Sequence, residues 1–262
     1  MASHVESWRL DGRVALVTGA QRGIGYACAD AFINAGATVA CVDLPGGTLH
    51  QSVARLGDAA SEHPLDLSDL EAVSRLADEI VERHGRLDVL VNAAGVLSPR
   101  SFLEMEPREW DQTLNVNARG GVFLAQACAR SFVQRDVPGR IVLFASIAGS
   151  SIVRLNNTAY SASKAAVIQA AKCMALELAP HGITVNTISP GSTATEMLVD
   201  VQVRGDIESV IRGNLAEWRL GIPLGRLADP SDQAALAVFL AGEGARHITG
   251  QDLTVDGGQT IV

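Results

Sequence analysis

Short apolar runs alternate with segments of helical periodicity along most of the chain. The run RVALVTG at residues 13–19 is rich in β-branched residues and ends in glycine, and GYACADAFINAG follows it with apolar residues at helical spacing. The same succession of strand, turn and helix recurs downstream. Because parallel strands are joined by crossover connections that are usually helices, this alternation predicts a parallel sheet with right-handed crossovers.

The remaining elements follow from the same pattern. Further strands are predicted in ATVACVD, LDVLVNAAG, RIVLFAS, GITVNTIS and QDLTVDGG. Further helices are predicted in TLHQSVARL, in SDLEAVSRLADEIVERHG with Ser68 as its N-cap, around PREWDQTLNVNARGGVFLAQACARSF, from about Thr158 to Ala179, and in PSDQAALAVFLAG. The expected fold class is α/β, a single-domain, Rossmann-type doubly wound parallel sheet flanked by helices.

No linker, repeat or low-complexity tract divides the chain, so residues 1–262 are expected to form a single domain. Residues 190–229 are the exception to the regular alternation, since they form a long segment of mixed character before the last helix. Long insertions of this kind in compact domains are often lids or binding loops. We expect residues 190–229 to cover the substrate.

Composition and charge exclude several functions. The chain is 47% hydrophobic but only 4% aromatic, which suits helices packed on a parallel sheet. A net charge of -8 without a Lys/Arg cluster argues against nucleic acid, and no apolar run has the length of a membrane span or signal peptide. A cytoplasmic protein is expected. The four cysteines form no CxxC pair and the histidines lack metal-ligand spacing, so no metal is expected.

The stretch TGAQRGIG at residues 18–25 predicts a dinucleotide site. It places Gly19, Gly23 and Gly25 between the first strand and first helix, where the backbone can approach a pyrophosphate at the helix N-terminus. The spacing is GxxxGxG rather than the commoner GxGxxG. The alternative is a glycine-rich turn that binds nothing.

The acidic residues after the next strands bear on the identity of that dinucleotide. Asp43 ends the second strand, where its carboxylate can accept from ribose hydroxyls, whereas a 2'-phosphate beside it would cost about 4 kcal/mol. This favours NAD over NADP. Arg22 favours the opposite, since a basic residue beside this loop can bind the 2'-phosphate, and Asp43 can also be interpreted as a turn residue only. Asp66 is placed to accept from the adenine amino group, with capping of the next helix as an equal alternative.

A tyrosine and a lysine four residues apart suggest acid–base chemistry. Tyr160 and Lys164 lie on one face of a predicted helix among small residues. For Tyr160 to act as a base, its pKa must fall from about 10 toward about 7 to 8, and the Lys164 ammonium with an oxidised nicotinamide provides positive charge for this. Ser146 follows a strand and can bind a substrate oxygen, and Asn117 can hold a water that relays protons to Lys164. Taken singly, each residue also has a structural explanation.

In combination, TGAQRGIG, NAAG, Ser146, YSASK, PGSTATE and DGG resemble the short-chain dehydrogenases/reductases over essentially the whole chain from Leu10. The resemblance implies a catalytic tetrad of Asn117, Ser146, Tyr160 and Lys164, a small-molecule substrate, and a homotetramer. It implies an NAD site formed by Gly19, Gln21, Arg22, Gly23, Ile24, Gly25, Asp43, Asp66, Leu67, Asn92, Ala93, Gly95, Tyr160, Lys164, Pro190, Gly191, Thr193 and Thr195. Thr193 and Thr195 would meet the nicotinamide carboxamide and a phosphate. The NAAG motif departs mildly from the commoner NNAG.

The segments SIVRLNNTAYSASK, SPGSTATEM and IRGNLAEWRLGIPLGRLADP resemble, within that family, the dehydrogenases of catechol siderophore synthesis that oxidise 2,3-dihydro-2,3-dihydroxybenzoate. A carboxylated substrate needs a cation, which Arg154 or Arg212 can supply. The alternative is that both are solvated loop arginines. A sugar or polyol dehydrogenase, a 3-oxoacyl reductase and a non-catalytic NAD-binding scaffold are the other functions considered.

Overall fold

The structure is a computed structural model that describes residues 8–198 and 207–261. The strands are β1 (Val14–Thr18), β2 (Thr38–Asp43), β3 (Ala60–Pro64), β4 (Val89–Asn92), β5 (Arg140–Phe144), β6 (Thr184–Pro190), β7 (Gly213–Asn214), β8 (Arg219–Leu220) and β9 (Asp252–Val255). The helices are α1 (Gly23–Asn34), α2 (Leu49–Leu56), α3 (Leu70–His84), α4 (Pro107–Leu114), α5 (Gly121–Gln134), α6 (Thr158–Leu178), α7 (Ile207–Arg212) and α8 (Pro230–Ala241).

Seven of the strands form one parallel sheet in the order β3-β2-β1-β4-β5-β6-β9. The chain adds strands outward on one side of β1 and then returns to add the rest on the other side. The switch point therefore lies between β1 and β4, and ligands of doubly wound sheets bind outside the carboxyl ends of the strands at such a point. The predicted α/β, doubly wound, single-domain fold is confirmed.

The sheet is covered on both faces, which explains why its central strands read as continuous apolar runs. In β1, Val14 and Leu16 pack with buried side chains of α3, α5 and α6, whereas Ala15 and Val17 pack with those of α1 and α8. Alternate residues of a strand point to opposite faces, so each face of the sheet has its own apolar layer. This two-sided core fixes the strand ends that carry the candidate site.

Two local predictions were wrong or incomplete. The strand β3 was missed because its sequence, ASEHP, is polar; it is an edge strand held by backbone pairing with β2, so its side chains need not be apolar. The N-cap of α3 is Asp69 rather than Ser68, since the Asp69 carboxylate accepts from the backbone N–H groups of Glu71 and Ala72 at 3.1 Å each.

The long helix predicted around residues 107–132 is interrupted by a π-helical turn at Asn115–Gly120, between α4 and α5. A Cβ at Gly120 would lie 2.4 Å from the carbonyl oxygen of Leu67, so only glycine allows this turn to approach the segment after β3 so closely. The π-helical turn leaves Asn117 buried, with 1% of its surface exposed. Such turns are frequent at functional sites.

The segment 190–229 forms more structure than a loop. It contains α7, an antiparallel pair of short strands β7 and β8, and a small apolar cluster of Leu198, Val210 and Ile222. Residues 199–206 of the predicted cover lie outside the described residues. Along residues 8–198 and 207–261, no helix combines the length and apolar character that crossing a bilayer requires. In those same ranges, no three His, Cys, Asp or Glu side chains converge to hold a metal ion.

Candidate active site

The carboxyl ends of the strands open into one cavity of about 560 Å³. It extends from the glycine-rich turn after β1, past the end of β2, to the first turn of α6. Most of the predicted site residues line it, namely Gly19, Gln21, Arg22, Gly23, Ile24, Gly25, Asp43, Asp66, Leu67, Ala93, Gly95, Ser146, Arg154, Tyr160, Lys164, Pro190, Gly191, Thr193 and Thr195. Asn92, Asn117 and Arg212 do not line it.

One end of the cavity is formed by backbone with few side chains. Gly19 and Gly23 have φ angles of +69° and +57°, a conformation that other residues rarely adopt. A Cβ at Gly25 would lie 2.1 Å from the carbonyl oxygen of Gly19, so glycine is required for this tight turn. The turn leads directly into α1, whose first-turn N–H groups lack partners within the helix and favour an anion. This geometry fits a dinucleotide pyrophosphate.

Asp43 lies at the end of β2 on the wall of the same cavity. Its Oδ2 accepts from the backbone N–H of Gln21 at 3.0 Å and its Oδ1 from that of Leu44 at 2.8 Å. These two bonds fix the carboxylate beside the glycine turn, so Asp43 shapes the turn and also faces the cavity. Arg22, the basic residue that would favour NADP, lines the cavity but is exposed.

Asp66 stabilises a local turn and also lies on the cavity wall. Its Oδ1 accepts from the backbone N–H of Ser68 at 2.8 Å, which stabilises the turn that precedes α3. The same residue lines the cavity together with Leu67. Turn stabilisation and contact with a ligand are therefore compatible at Asp66.

Asn92 does not line the cavity, and its predicted contact with the dinucleotide stays a prediction. It is 3% exposed, and its Oδ1 accepts from the hydroxyl of Thr18 at 2.6 Å. This bond joins β4 to β1 inside the sheet. A position at the end of a strand does not by itself direct a side chain into the cavity, because alternate residues point to opposite faces.

Tyr160 lies in the first turn of α6, and the Ser146 hydroxyl, which follows β5, is close enough to oppose the rise in its pKa. The Ser146 Oγ also accepts from the backbone N–H of Ala148 at 3.1 Å, and this bond orients it. Lys164 Nζ donates to the carbonyl oxygen of Phe144 at 2.8 Å and lies 5.7 Å from the centroid of the Tyr160 ring. The tertiary structure therefore brings together three of the four predicted catalytic residues on the cavity wall.

Asn117, the fourth, lies behind this group and is bound to the protein on all sides. Its Nδ2 donates to the carbonyl oxygen of Val96 at 2.9 Å and to the Ser163 hydroxyl at 3.0 Å, and its Oδ1 accepts from the backbone N–H of Val96 at 2.7 Å. The amide of Asn117 thus ties the loop after β4 to α6. Its part in a proton relay stays a prediction, since its amide is already engaged with protein partners.

Burial governs the ionisation of the two central residues. It raises the pKa of Tyr160, an effect that the nearby Ser146 hydroxyl and the positive charge of Arg154 oppose. Burial also lowers the pKa of Lys164 to about 8. In the protein alone, Ser146 and Arg154 oppose the effect of burial on the pKa of Tyr160, and burial outweighs them; the expectation that Lys164 and an oxidised nicotinamide together lower this pKa stays a prediction.

The two predicted substrate arginines have different environments. Arg154 lines the cavity, and its Nη2 donates to the Ser192 hydroxyl at 3.1 Å. Arg212 is exposed and pairs with Glu208 one helical turn away on α7, so the alternative of a solvated arginine is correct for Arg212. Arg219 on β8, which was not among the predicted site residues, also lies near this site, since its positive charge together with burial lowers the pKa of Arg154. Its only sequence signal was its place in the predicted cover.

Known proteins resemble this chain over nearly its whole length. A family model described as enoyl-(acyl carrier protein) reductase matches residues 19–260. The 2,3-dihydro-2,3-dihydroxybenzoate dehydrogenase of Bacillus subtilis is 38% identical, covering 96% of this chain and 97% of its own. The D-threitol dehydrogenase of Mycolicibacterium smegmatis is 39% identical, covering 97% and 95%. The crystal structure of a short-chain type dehydrogenase/reductase from Mycobacterium marinum superimposes with a TM-score of 0.89 at 33% identity, covering 99% and 100%.

Replacement of Lys164 by methionine should stabilise the protein near neutral pH. The pKa of the Lys164 ammonium is about 8 in the folded protein and about 10.4 in the unfolded chain, so the buried charge opposes folding below pH 8. Methionine removes that cost but leaves the Phe144 carbonyl without its hydrogen-bond donor. We expect the free energy of unfolding of Lys164→Met in urea at pH 7 to rise by about 1–2 kcal/mol. Between about pH 8 and pH 10, Lys164 of the wild type is neutral when folded and still charged when unfolded, so the cost of burying its charge disappears. The difference in unfolding free energy between the variant and the wild type should therefore shrink over this range.

The chain has one other lysine, Lys172, which is exposed on the same helix and provides the control. Lys172→Met should change the unfolding free energy by less than about 0.5 kcal/mol. A Lys164→Met variant less stable than the wild type at pH 7 would contradict the assignment of burial as the dominant effect.

Proposed function

Since this chain belongs to the short-chain dehydrogenase/reductase family, we propose that it is an NAD-dependent dehydrogenase whose preferred substrate is 2,3-dihydro-2,3-dihydroxybenzoate, oxidised to 2,3-dihydroxybenzoate in siderophore synthesis. Oxidoreductase activity on CH–OH groups follows from the family and from relatives named as dehydrogenases. The observation that favours this substrate over a neutral polyol is the guanidinium of Arg154 in the same cavity as Ser146 and Tyr160.

The environment of Arg154 favours an anionic substrate. Two guanidinium groups lie close together here, since burial and the nearby charge of Arg219 lower the pKa of Arg154. A carboxylate can form two parallel charge-assisted hydrogen bonds with a guanidinium, which a neutral polyol cannot. The Ser192 hydroxyl that holds Arg154 is itself bound to Gln259 at 3.2 Å, which limits the positions available to the guanidinium.

We assign the chemistry to the residues around Tyr160. The Ser146 hydroxyl holds the oxygen of the reacting carbinol, and Tyr160 accepts the proton of that hydroxyl as the base. Lys164 supplies positive charge one helical turn from Tyr160, and Asn117 supports the proton path from Lys164. Bound NAD supplies the hydride acceptor for the carbinol hydrogen. The product is a ring ketone, which tautomerises to the aromatic catechol.

The cofactor preference is assigned to Asp43. Its carboxylate is fixed by two backbone N–H groups at the wall of the cavity, where it can accept from the ribose hydroxyls of NAD. A 2'-phosphate placed there would meet a like charge at a cost of about 4 kcal/mol. Arg22 is exposed to solvent, so its positive charge does not cancel the negative charge of Asp43 at the cavity wall.

We further propose that the protein works as a cytoplasmic homotetramer and that residues 190–229 cover the substrate. Large apolar side chains are exposed on α5 and α6, among them Phe123 at 42% and Leu176 at 79%, which suits helix-to-helix contacts between subunits. All four cysteines are free thiols, as in proteins of reducing compartments. The cover contributes Arg219, which lies near Arg154 and thus toward the substrate end.

The substrate and the base are tested together by NADH formation. With 2,3-dihydro-2,3-dihydroxybenzoate, D-threitol and a 3-hydroxyacyl thioester as candidates, we expect the first to give the highest kcat/KM. Tyr160→Phe should lower kcat on it by about 10²–10⁴-fold, because the general base is lost. Tyr26, the other tyrosine of the chain, provides the control, and Tyr26→Phe should retain activity. Full activity of Tyr160→Phe would disprove the base, and a preference for D-threitol would favour a polyol dehydrogenase.

Arg154→Gln should weaken recognition of the carboxylate. We expect KM for 2,3-dihydro-2,3-dihydroxybenzoate to rise by about 100-fold, as expected when one partner of a buried charge pair is lost, with a smaller effect on kcat. Activity on a neutral diol should change little. The matched control is Arg212→Gln, because Arg212 is exposed and paired with Glu208. Equal losses in the two variants, or none in Arg154→Gln, would refute the carboxylate site.

Asp43→Ala should relax the cofactor preference. Removal of the carboxylate should raise kcat/KM with NADP relative to NAD by about 10²–10³-fold, as estimated from the like-charge repulsion. Asp66→Ala, which also removes a carboxylate from the cavity wall, should lower affinity for both dinucleotides alike. Unchanged discrimination against NADP in Asp43→Ala would exclude Asp43 from this role.

A further inference from the structure

Asn157, at the N-cap position of α6, makes no capping hydrogen bond with its side chain. Asparagine is favoured at this position because its side-chain oxygen ordinarily accepts from an N–H of the first helical turn. Here the residue is 5% exposed and lines the cavity. Its side chain therefore does not cap the start of the helix and is available at the cavity.

The backbone around Asn157 is held in a conformation that keeps it at the cavity. Asn156 has a φ of +63°, in the left-handed region, and its carbonyl oxygen accepts from the backbone N–H of Arg100 at 3.0 Å. The carbonyl oxygen of Asn157 accepts from the N–H of Ser161 at 2.8 Å. Bonds on both sides thus fix the turn from which the Asn157 side chain projects.

Within residues 8–198 and 207–261 the amide of Asn157 has no hydrogen-bond partner. The amide is open to the cavity, where it offers two N–H donors and one acceptor oxygen to a group that enters there. Because Asn157 faces the cavity, the group that satisfies it is expected to belong to a ligand. A hydroxyl, which both donates and accepts, matches an amide.

Three cavity residues follow one another at intervals of three along the chain, Arg154, Asn157 and Tyr160. The proposed function, on which this inference rests, places a carboxylate at Arg154 and the reacting hydroxyl at Tyr160. Asn157 comes between them in the chain. We propose that the amide of Asn157 binds the hydroxyl adjacent to the reacting one, and that it thereby makes the enzyme selective for vicinal diols.

The test compares substrates that differ by that one hydroxyl. The pair is 2,3-dihydroxycyclohexane-1-carboxylate and 3-hydroxycyclohexane-1-carboxylate, assayed with NAD by kcat/KM, or by inhibition constant where a compound is not oxidised. Asn157→Ala should lower recognition of the diol about 10–100-fold and that of the single alcohol less than about 3-fold. The ratio of kcat/KM for the diol to kcat/KM for the single alcohol should then fall, because the variant has no side chain that recognises the second hydroxyl.

Two further variants separate recognition from folding. Asn156→Gly removes the neighbouring amide at a position where glycine adopts the same φ, and should leave the ratio unchanged. Asn157→Ser keeps a side chain that can cap α6 but is too short to replace the amide, so it should show the same loss of ratio as Asn157→Ala. Equal losses on both substrates, with an unchanged ratio, would overturn the inference and show that Asn157 is only structural.

Failure of this inference can be distinguished from failure of the proposed function. If the wild type oxidises the carboxylated diol but Asn157→Ala leaves the ratio unchanged, only the role of Asn157 is wrong. If the wild type instead uses only neutral polyols, the proposed substrate is wrong. The same ratio is then measured with butane-2,3-diol and butan-2-ol, where a loss of diol preference in Asn157→Ala still supports the role and an unchanged preference refutes it.

Discussion

The candidate site depends on a charge removed from water. The ammonium of Lys164 is 4% exposed and is held by the backbone carbonyl of Phe144, at the end of the strand β5. A buried charge needs partners in fixed positions, because the surrounding protein replaces the water that has been lost. This contact joins α6 to the sheet and thereby fixes the position of Tyr160. The hydrogen bond between Asn117 and Ser163 holds the same helix against the loop after β4. The apolar layers on both faces of the sheet supply the stability that offsets this cost.

The cavity has two ends that differ in the groups that line them. At one end, a glycine-rich backbone turn and the carboxylate of Asp43 suit a dinucleotide. At the other, Arg154 and Arg219 supply positive charge in a protein whose net charge is -8. Tyr160 lies toward this second end, since the charge of Arg154 acts on its pKa. A carboxylated substrate is therefore compatible with both the chemistry of Tyr160 and its surroundings.

The two ends of the cavity are built in different ways. The cofactor end is formed by elements that any doubly wound sheet provides, a turn and a helix N-terminus. The substrate end is formed by individual side chains, Arg154, Asn157 and Arg219, whose positions depend on local turns and on the packed cover.

The sequence by itself determined the parts of this protein that depend on local pattern. Apolar runs and helical periodicity located β1, β2, β4, β5, β6 and β9, and the four-residue spacing placed Tyr160 and Lys164 on one helix face. Periodicity could not reveal the polar edge strand β3, which depends on backbone pairing with β2. Nor could it show that Asn92 joins two strands, that Arg212 is exposed while Arg219 is near Arg154, or that Asn157 faces the cavity. Tertiary structure decided these features, because the direction, burial and charge environment of a side chain depend on neighbours that are distant in sequence.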